Sequence, residues 1–123
     1  MIATRRKPAL LLVLCATVAA MLPAVAPARA ASFPCSKASH PDEIAVCQNL
    51  VLNDDDVEMA TLYQTLLPLL AMGGAGATRD AQKAFLSQRQ ACGGNVACIS
   101  AAYDARIAAL KAEFARIAAN GPY

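Results

Sequence analysis

Four cysteines, Cys35, Cys47, Cys92 and Cys98, punctuate residues 31–123 of this 123-residue chain, and they constrain its fold more than any other feature. A stretch that short buries only a modest apolar core, so covalent crosslinks carry a large share of its stability. An even set of cysteines pairs into disulfides in an oxidising compartment and otherwise serves metal or redox chemistry. Eleven residues separate the first two cysteines and five the last two, which matches no common zinc pattern, and His40 is the sole histidine. Two disulfides are expected, with no metal and no cofactor.

The N-terminus indicates the compartment. Arg5, Arg6 and Lys7 form a positive start, Ala9 to Met21 an apolar run, and Ala28-Arg29-Ala30 a small-x-small cleavage site ahead of Ala31. Residues 1–30 therefore read as a signal peptide and 31–123 as the working domain, periplasmic or secreted. A retained anchor is the competing reading, because Ala9 to Ala26 is nearly long enough to span a bilayer; Pro23, Pro27 and the Ala-x-Ala ending favour cleavage. Cys15 follows Leu14 and not a small residue, so the bacterial lipoprotein cleavage site is absent. Thr4-Arg5-Arg6 touches the twin-arginine pattern, but the strongly apolar run fits the general export route better.

Beyond Ala30 the chain holds seven basic and nine acidic side chains, a net charge of about −2 against +2 for the whole. Nucleic acid needs clustered basic residues and is not an expected partner. A basic protein is favoured slightly.

Alanine and leucine dominate and β-type alternation is missing, so the expected fold is all-α: one domain of about four antiparallel helices around one core. The first helix should open at Pro41, with Ser39 or His40 as cap and Asp42 and Glu43 against the positive helix end, and run to about Leu50. Asn53 is expected to cap a second helix with the stripe Met59, Leu62, Leu66 and Leu69, stopped or kinked by Pro68. Met72-Gly-Gly-Ala-Gly-Ala77 reads as a loop, because glycine disfavours helix by about 1 kcal/mol per residue. Thr78 should cap a third helix presenting Ala81, Phe85 and Leu86 inward and ending at Cys92-Gly93-Gly94. Asn95 should cap the longest helix, whose stripe is Ile99, Tyr103, Ile107, Leu110, Phe114 and Ile117, with a stop at Asn120-Gly121-Pro122. This layout favours Cys35 with Cys47 and Cys92 with Cys98, although spacing alone leaves the crossed pairings open.

Cys35 with Pro41, Glu43-x-Ala45-Val46-Cys47, Asp56 and Leu62-Tyr63, then Gln82, Phe85-Leu86, Arg89, Cys92, Cys98, Tyr103, Arg106-Ile107 and Leu110, resemble in order and spacing the LprI-type lysozyme-inhibitor domain family. The resemblance covers essentially all of residues 31–123. It departs at Phe85, where members usually carry tryptophan, and at Asp55, where they carry an apolar residue. It implies an exported helical domain in a family named for a member that inhibits lysozyme.

Catalytic chemistry finds little support. His40 lies beside a helix start with no free cysteine to activate, Gly73-Gly74-Ala75-Gly76 lacks the lysine and serine of a phosphate loop, and Met59 and Met72 are too far apart for a copper set. Asp54-Asp55-Asp56 is not followed by a calcium loop and reads as a solvated helix start. The polar residues within the helical stripes are expected to form a buried or half-buried seam: Asp56 or Glu43 could reach Arg89 or Arg106, and the favoured pairs are Asp56 with Arg106 and Tyr63 with Tyr103. The expected function is binding and inhibition of a lysozyme through an acidic surface (Asp54, Asp55, Glu58) or through a mobile Met72–Ala77 loop. The alternative is a non-catalytic envelope assembly factor docking through a helical face.

Overall fold

The computed structural model describes residues 31–120, so the leader read from residues 1–30 and the stop at Gly121-Pro122 lie outside the described residues. The described chain is all-α. A single 3-10 turn at Cys35–Lys37 leads into α1 (Pro41–Gln48), α2 (Leu50–Leu66), a 3-10 turn at Leu67–Leu69, α3 (Met72–Ala91) and α4 (Val96–Ala119). Among the described residues there is no strand.

The boundary between α1 and α2 falls at Asn49, which leaves helical geometry at φ −113°, ψ 118°. Its side-chain oxygen accepts from the Val51 and Leu52 backbone N–H groups at 3.0 and 3.2 Å, satisfying two otherwise orphaned donors. Asn53, expected as this cap, instead lies one turn inside α2 with its side chain buried. The earlier start brings Leu52 into the helix, so the buried stripe runs Leu52, Asp56, Met59 and Leu66, and Asp54 to Asp56 belong to the second turn rather than the first. Leu69 drops out of the expected stripe and is 54 % exposed, because Pro68 ends α2 and turns the chain.

The larger correction concerns α3. Met72 to Ala77, expected as a loop, forms its first turns, and Thr78 sits inside the helix. Tertiary packing outweighs propensity here: Ala75 is buried, and Gly74 is half-buried close to the Leu70 side chain. Nothing in the structure requires glycine at Gly73 or Gly76. Of the residues expected to face inward from α3, Phe85 is buried while Ala81 and Leu86 are exposed. The end of α3 follows expectation, since Gly93 adopts φ +56° just after the Cys92 cap, a left-handed position that suits glycine. Asn95 then caps α4 by accepting from the Cys98 N–H at 3.0 Å.

Helices α2, α3 and α4 form an up-down-up bundle. Asp56 meets Tyr103 near one end, while Leu66 lies with Leu110 and Glu113 toward the other, so α2 and α4 run in the same direction. Gln82 reaches both Met59 and Arg106, and Arg89 reaches Tyr103, which sets α3 antiparallel to both. The core between them is Val46, Leu52, Met59, Leu66, Phe85, Ile99, Ala102, Tyr103, Ile107 and Leu110. Each large apolar member contributes roughly 1.5 to 3 kcal/mol through burial. Phe85 and Tyr103 meet as a tilted pair with centroids 5.2 Å apart. The disulfides are Cys35–Cys47, which holds the lead-in against α1, and Cys92–Cys98, which closes the turn from α3 to α4. Paired thiols of this kind point to an oxidising, exported environment. No helix of the described residues is long and apolar enough to cross a membrane.

Because Gly73 and Gly76 are helical with open space where a Cβ would stand, Gly73→Ala and Gly76→Ala are each expected to stabilise the protein by about 0.5 to 1 kcal/mol. Urea unfolding checks this; a loss of stability in both variants would mean that α3 does not begin at Met72.

Candidate functional site

The most constrained chemistry lies in a buried polar network at the end of the bundle that α1 covers. Asp42 and Asp56 are 2 % and 1 % exposed and Arg89 is 6 % exposed, levels at which charged groups survive only when paired and hydrogen-bonded. The Arg89 Nε donates to Asp42 Oδ2 at 2.8 Å, and its Nη1 donates to the Tyr103 hydroxyl at 2.9 Å. That hydroxyl in turn donates to Asp56 Oδ1 at 2.8 Å, and Arg89 Nη1 stands 3.6 Å from the same oxygen. Burial and then the Asp56 carboxylate raise the Tyr103 pKa well above the ordinary phenol value, despite the opposing Arg89, so the hydroxyl keeps the proton it donates. The lead-in segment closes the network: the Ser32 backbone N–H donates to Asp56 Oδ2 at 2.6 Å, and the Phe33 ring covers Arg89 with its guanidinium carbon 5.6 Å from the ring centre.

A polar seam therefore exists, but with different partners from those expected. Asp56 pairs with Tyr103 and Arg89, not Arg106. The Tyr103 hydroxyl is occupied by Arg89 and Asp56, while Tyr63 is half-buried against the core. Arg106 belongs to a second cluster, with its Nε donating to Gln82 Oε1 at 2.9 Å and its Nη2 to the Thr78 carbonyl at 3.1 Å. Gln82 also lies with its Nε2 3.1 Å from the Met59 sulfur. Burial lowers the Arg106 pKa, with Tyr63 acting in the opposite direction.

Glu43 serves α1 locally. Its Oε2 accepts from the backbone N–H groups of Ser39 at 2.9 Å and His40 at 3.1 Å, with His40 at the cap and Pro41 first in the helix. Those bonds hold its carboxyl below the ordinary value. The exposed His40 ring places Nδ1 3.3 Å from Gln90 Nε2.

Sequence reasoning missed Asp42, Asn53, Ser32 and Phe33. Asp42 was assigned to the helix dipole, yet it shares a face with Val46 four residues on, and that spacing signals burial. Ser32 and Phe33 carry no local pattern that reveals their contacts.

On the surface, the expected acidic group divides. Asp56 points into the core, while Asp54 is exposed and Asp55 half-exposed on the outer side of α2. Asp104 on α4, absent from the sequence-based expectation, joins them: partial burial, followed by the charges of Asp104, Glu58 and Asp54, raises the Asp55 pKa. Glu58 is tied to Lys111 at 2.6 Å. Among the described residues no group of histidine, cysteine and carboxylate side chains is arranged to hold a metal ion. A shallow depression of about 230 Å³, bordered by Leu66, Gly74, Thr78, Arg106, Ala109 and Glu113, opens where the end of α2 meets α3 and α4. The Met72–Ala77 segment, being helical, does not supply the mobile docking loop expected of it.

No family model, curated protein or solved structure matches this chain. The fold and site define a small disulfide-stapled helical domain with a buried ionic network.

Replacing Tyr103 by Phe should cost about 1 to 3 kcal/mol by leaving Asp56 and Arg89 short of a partner. Arg89→Met should cost about 3 to 5 kcal/mol, because it strands buried carboxylates. An unchanged urea midpoint for Tyr103→Phe refutes the network. Glu43 supplies a pH signature. A carboxyl lowered on folding contributes stability that is complete above its ordinary value of 4.5 and is lost as the pH falls through the lower folded-state value. Glu43→Gln should therefore be less stable than wild type at neutral pH by about 0.3 to 1 kcal/mol. The gap should close as the pH falls below 4.5 and through the lower folded-state value, as read from thermal melts across that range.

Proposed function

We propose that the protein is an exported, non-catalytic binding domain that inhibits a lysozyme and so protects the bacterial cell wall. The observation that carries this reading is the surface that α2 and α4 build together, where Asp54, Glu58 and Asp104 lie near Asp55 and add their charges to partial burial in raising its carboxyl. Lysozymes are commonly basic and cleave through two carboxylates in an open groove. An inhibitor of such an enzyme needs a rigid body and an acidic rim that finds the groove. The two disulfides and the buried network supply the rigidity. The resemblance of the cysteine, Glu43, Asp56, Tyr63, Gln82, Arg89, Tyr103 and Arg106 pattern to the LprI-type domain supplies the choice of target. A non-catalytic role is supported by the way the buried charged groups are already engaged: Arg89 with Asp42 and the Tyr103 hydroxyl, and Asp56 with that hydroxyl and the Ser32 N–H.

A second reading has its own supporting observation. Leu50 and Val51, at the start of α2, are 67 % and 64 % exposed. A helical face with such apolar side chains suits an envelope assembly factor that docks on a partner protein.

Lysis of bacterial cells by several lysozymes, followed by turbidity, separates the two. The expected outcome is inhibition near one-to-one stoichiometry that weakens as salt rises. The triple variant Asp54→Asn, Asp55→Asn, Asp104→Asn should lose roughly tenfold in potency, since an exposed charge contributes about 0.2 to 1 kcal/mol. Undiminished lysis at excess protein with every lysozyme tested rejects the inhibitor reading in favour of the assembly factor.

A further inference from the structure

The two buried arginines are treated very differently. Arg89 faces two carboxylates, whereas Arg106, 9 % exposed, has none within ion-pair distance among the described residues. Its bonded neighbours, the Gln82 side chain and the Thr78 carbonyl, are neutral and occupy Nε and Nη2. A buried cation that lacks a counter-charge is costly, and an anion arriving beside it recovers much of that cost.

The geometry leaves room for one. Nη1 makes no hydrogen bond to a described residue, yet among the described residues the buried side-chain polar atoms without a partner are Asp42 Oδ1 and Asn53 Nδ2, so Nη1 is not sealed away. Arg106 and Thr78 both border the depression of about 230 Å³, whose walls are otherwise small or aliphatic: Gly74, Ala77, Ala109 and Leu110. These walls admit a short apolar body and exclude a bulky one. Glu113 also lines the depression, and Arg116 binds its carboxylate through Nε at 2.9 Å and through Nη2, which offsets its repulsion of an incoming anion.

We infer that this depression binds a small monocarboxylate, with Arg106 Nη1 and the Thr78 hydroxyl donating to the carboxylate and the short tail lying against Ala109 and Leu110. Two donors suit the two oxygens of a carboxylate, and the aliphatic walls suit a short hydrocarbon tail, which a bare phosphate or sulfate lacks. The site is independent of the inhibitor reading and neither requires nor tests it.

The test is a nitrogen-15 NMR titration of the purified protein with sodium butyrate at constant ionic strength, with butyramide run in parallel. The expected result is a saturable shift of the Arg106 Nε–H and of the Gly74 and Thr78 amides with butyrate, and no response to butyramide. Thr78→Val should weaken binding about tenfold, the loss expected for one hydrogen bond to a charged group. Ala109→Leu, at an exposed helical position, should fill the depression and abolish binding while leaving the melting temperature in place. The proposal is overturned by a linear response to butyrate, by an equal response to butyramide, or by undiminished binding to Ala109→Leu.

Discussion

The Tyr103 hydroxyl is the point at which the bundle is joined. It accepts from Arg89 on α3 and donates to Asp56 on α2, and Arg89 carries the connection onward to Asp42 on α1. One phenol on α4 thereby fixes the rotation of all three other helices. Apolar packing alone tolerates small slides and exchanges of side chains of similar volume. A chain of charged hydrogen bonds out of water does not, because each misplacement leaves a desolvated group unpaired. The network is thus better understood as the device that selects one arrangement than as a source of net stability, since buried ion pairs often only offset their own desolvation.

The division of labour between core and crosslinks follows from this. The apolar residues, most of them on α2 and α4, supply the burial, and the disulfides secure the lead-in to α1 and the turn from α3 to α4. Cys35–Cys47 retains the lead-in, whose Ser32 and Phe33 complete the network. Cys92–Cys98 retains the tight turn beside Arg89.

Much of this architecture was legible in the amino-acid order. The α4 stripe from Ile99 to Leu110 repeats at helical spacing and is buried as that spacing predicts. The cysteine pairs lie where neighbouring elements bring them together. The failures have identifiable physical causes. Asn49 and Asn53 are equally good caps locally, and the choice between them is made by the burial of Leu52, a long-range effect. Three glycines spoke for a loop, and packing around Ala75 and Leu70 outweighed them. For the site, the participants Asp56, Arg89 and Tyr103 were visible as polar residues inside apolar stripes, but their pairing was not. Which arginine meets which carboxylate depends on helix rotation, and rotation follows from the whole core rather than from any local spacing.

The reach of the network along the chain has a consequence for how the domain comes into being. Its members run from Ser32 to Tyr103, and the hydroxyl that hydrogen-bonds both Arg89 and Asp56 is the last of them in the chain. A polypeptide emerging N-terminus first, from a ribosome or through a membrane pore, cannot close the circuit until Tyr103 has come out. Until then Arg89 and Asp56 lack the hydroxyl that joins them, and the arrangement of all four helices waits on the last one.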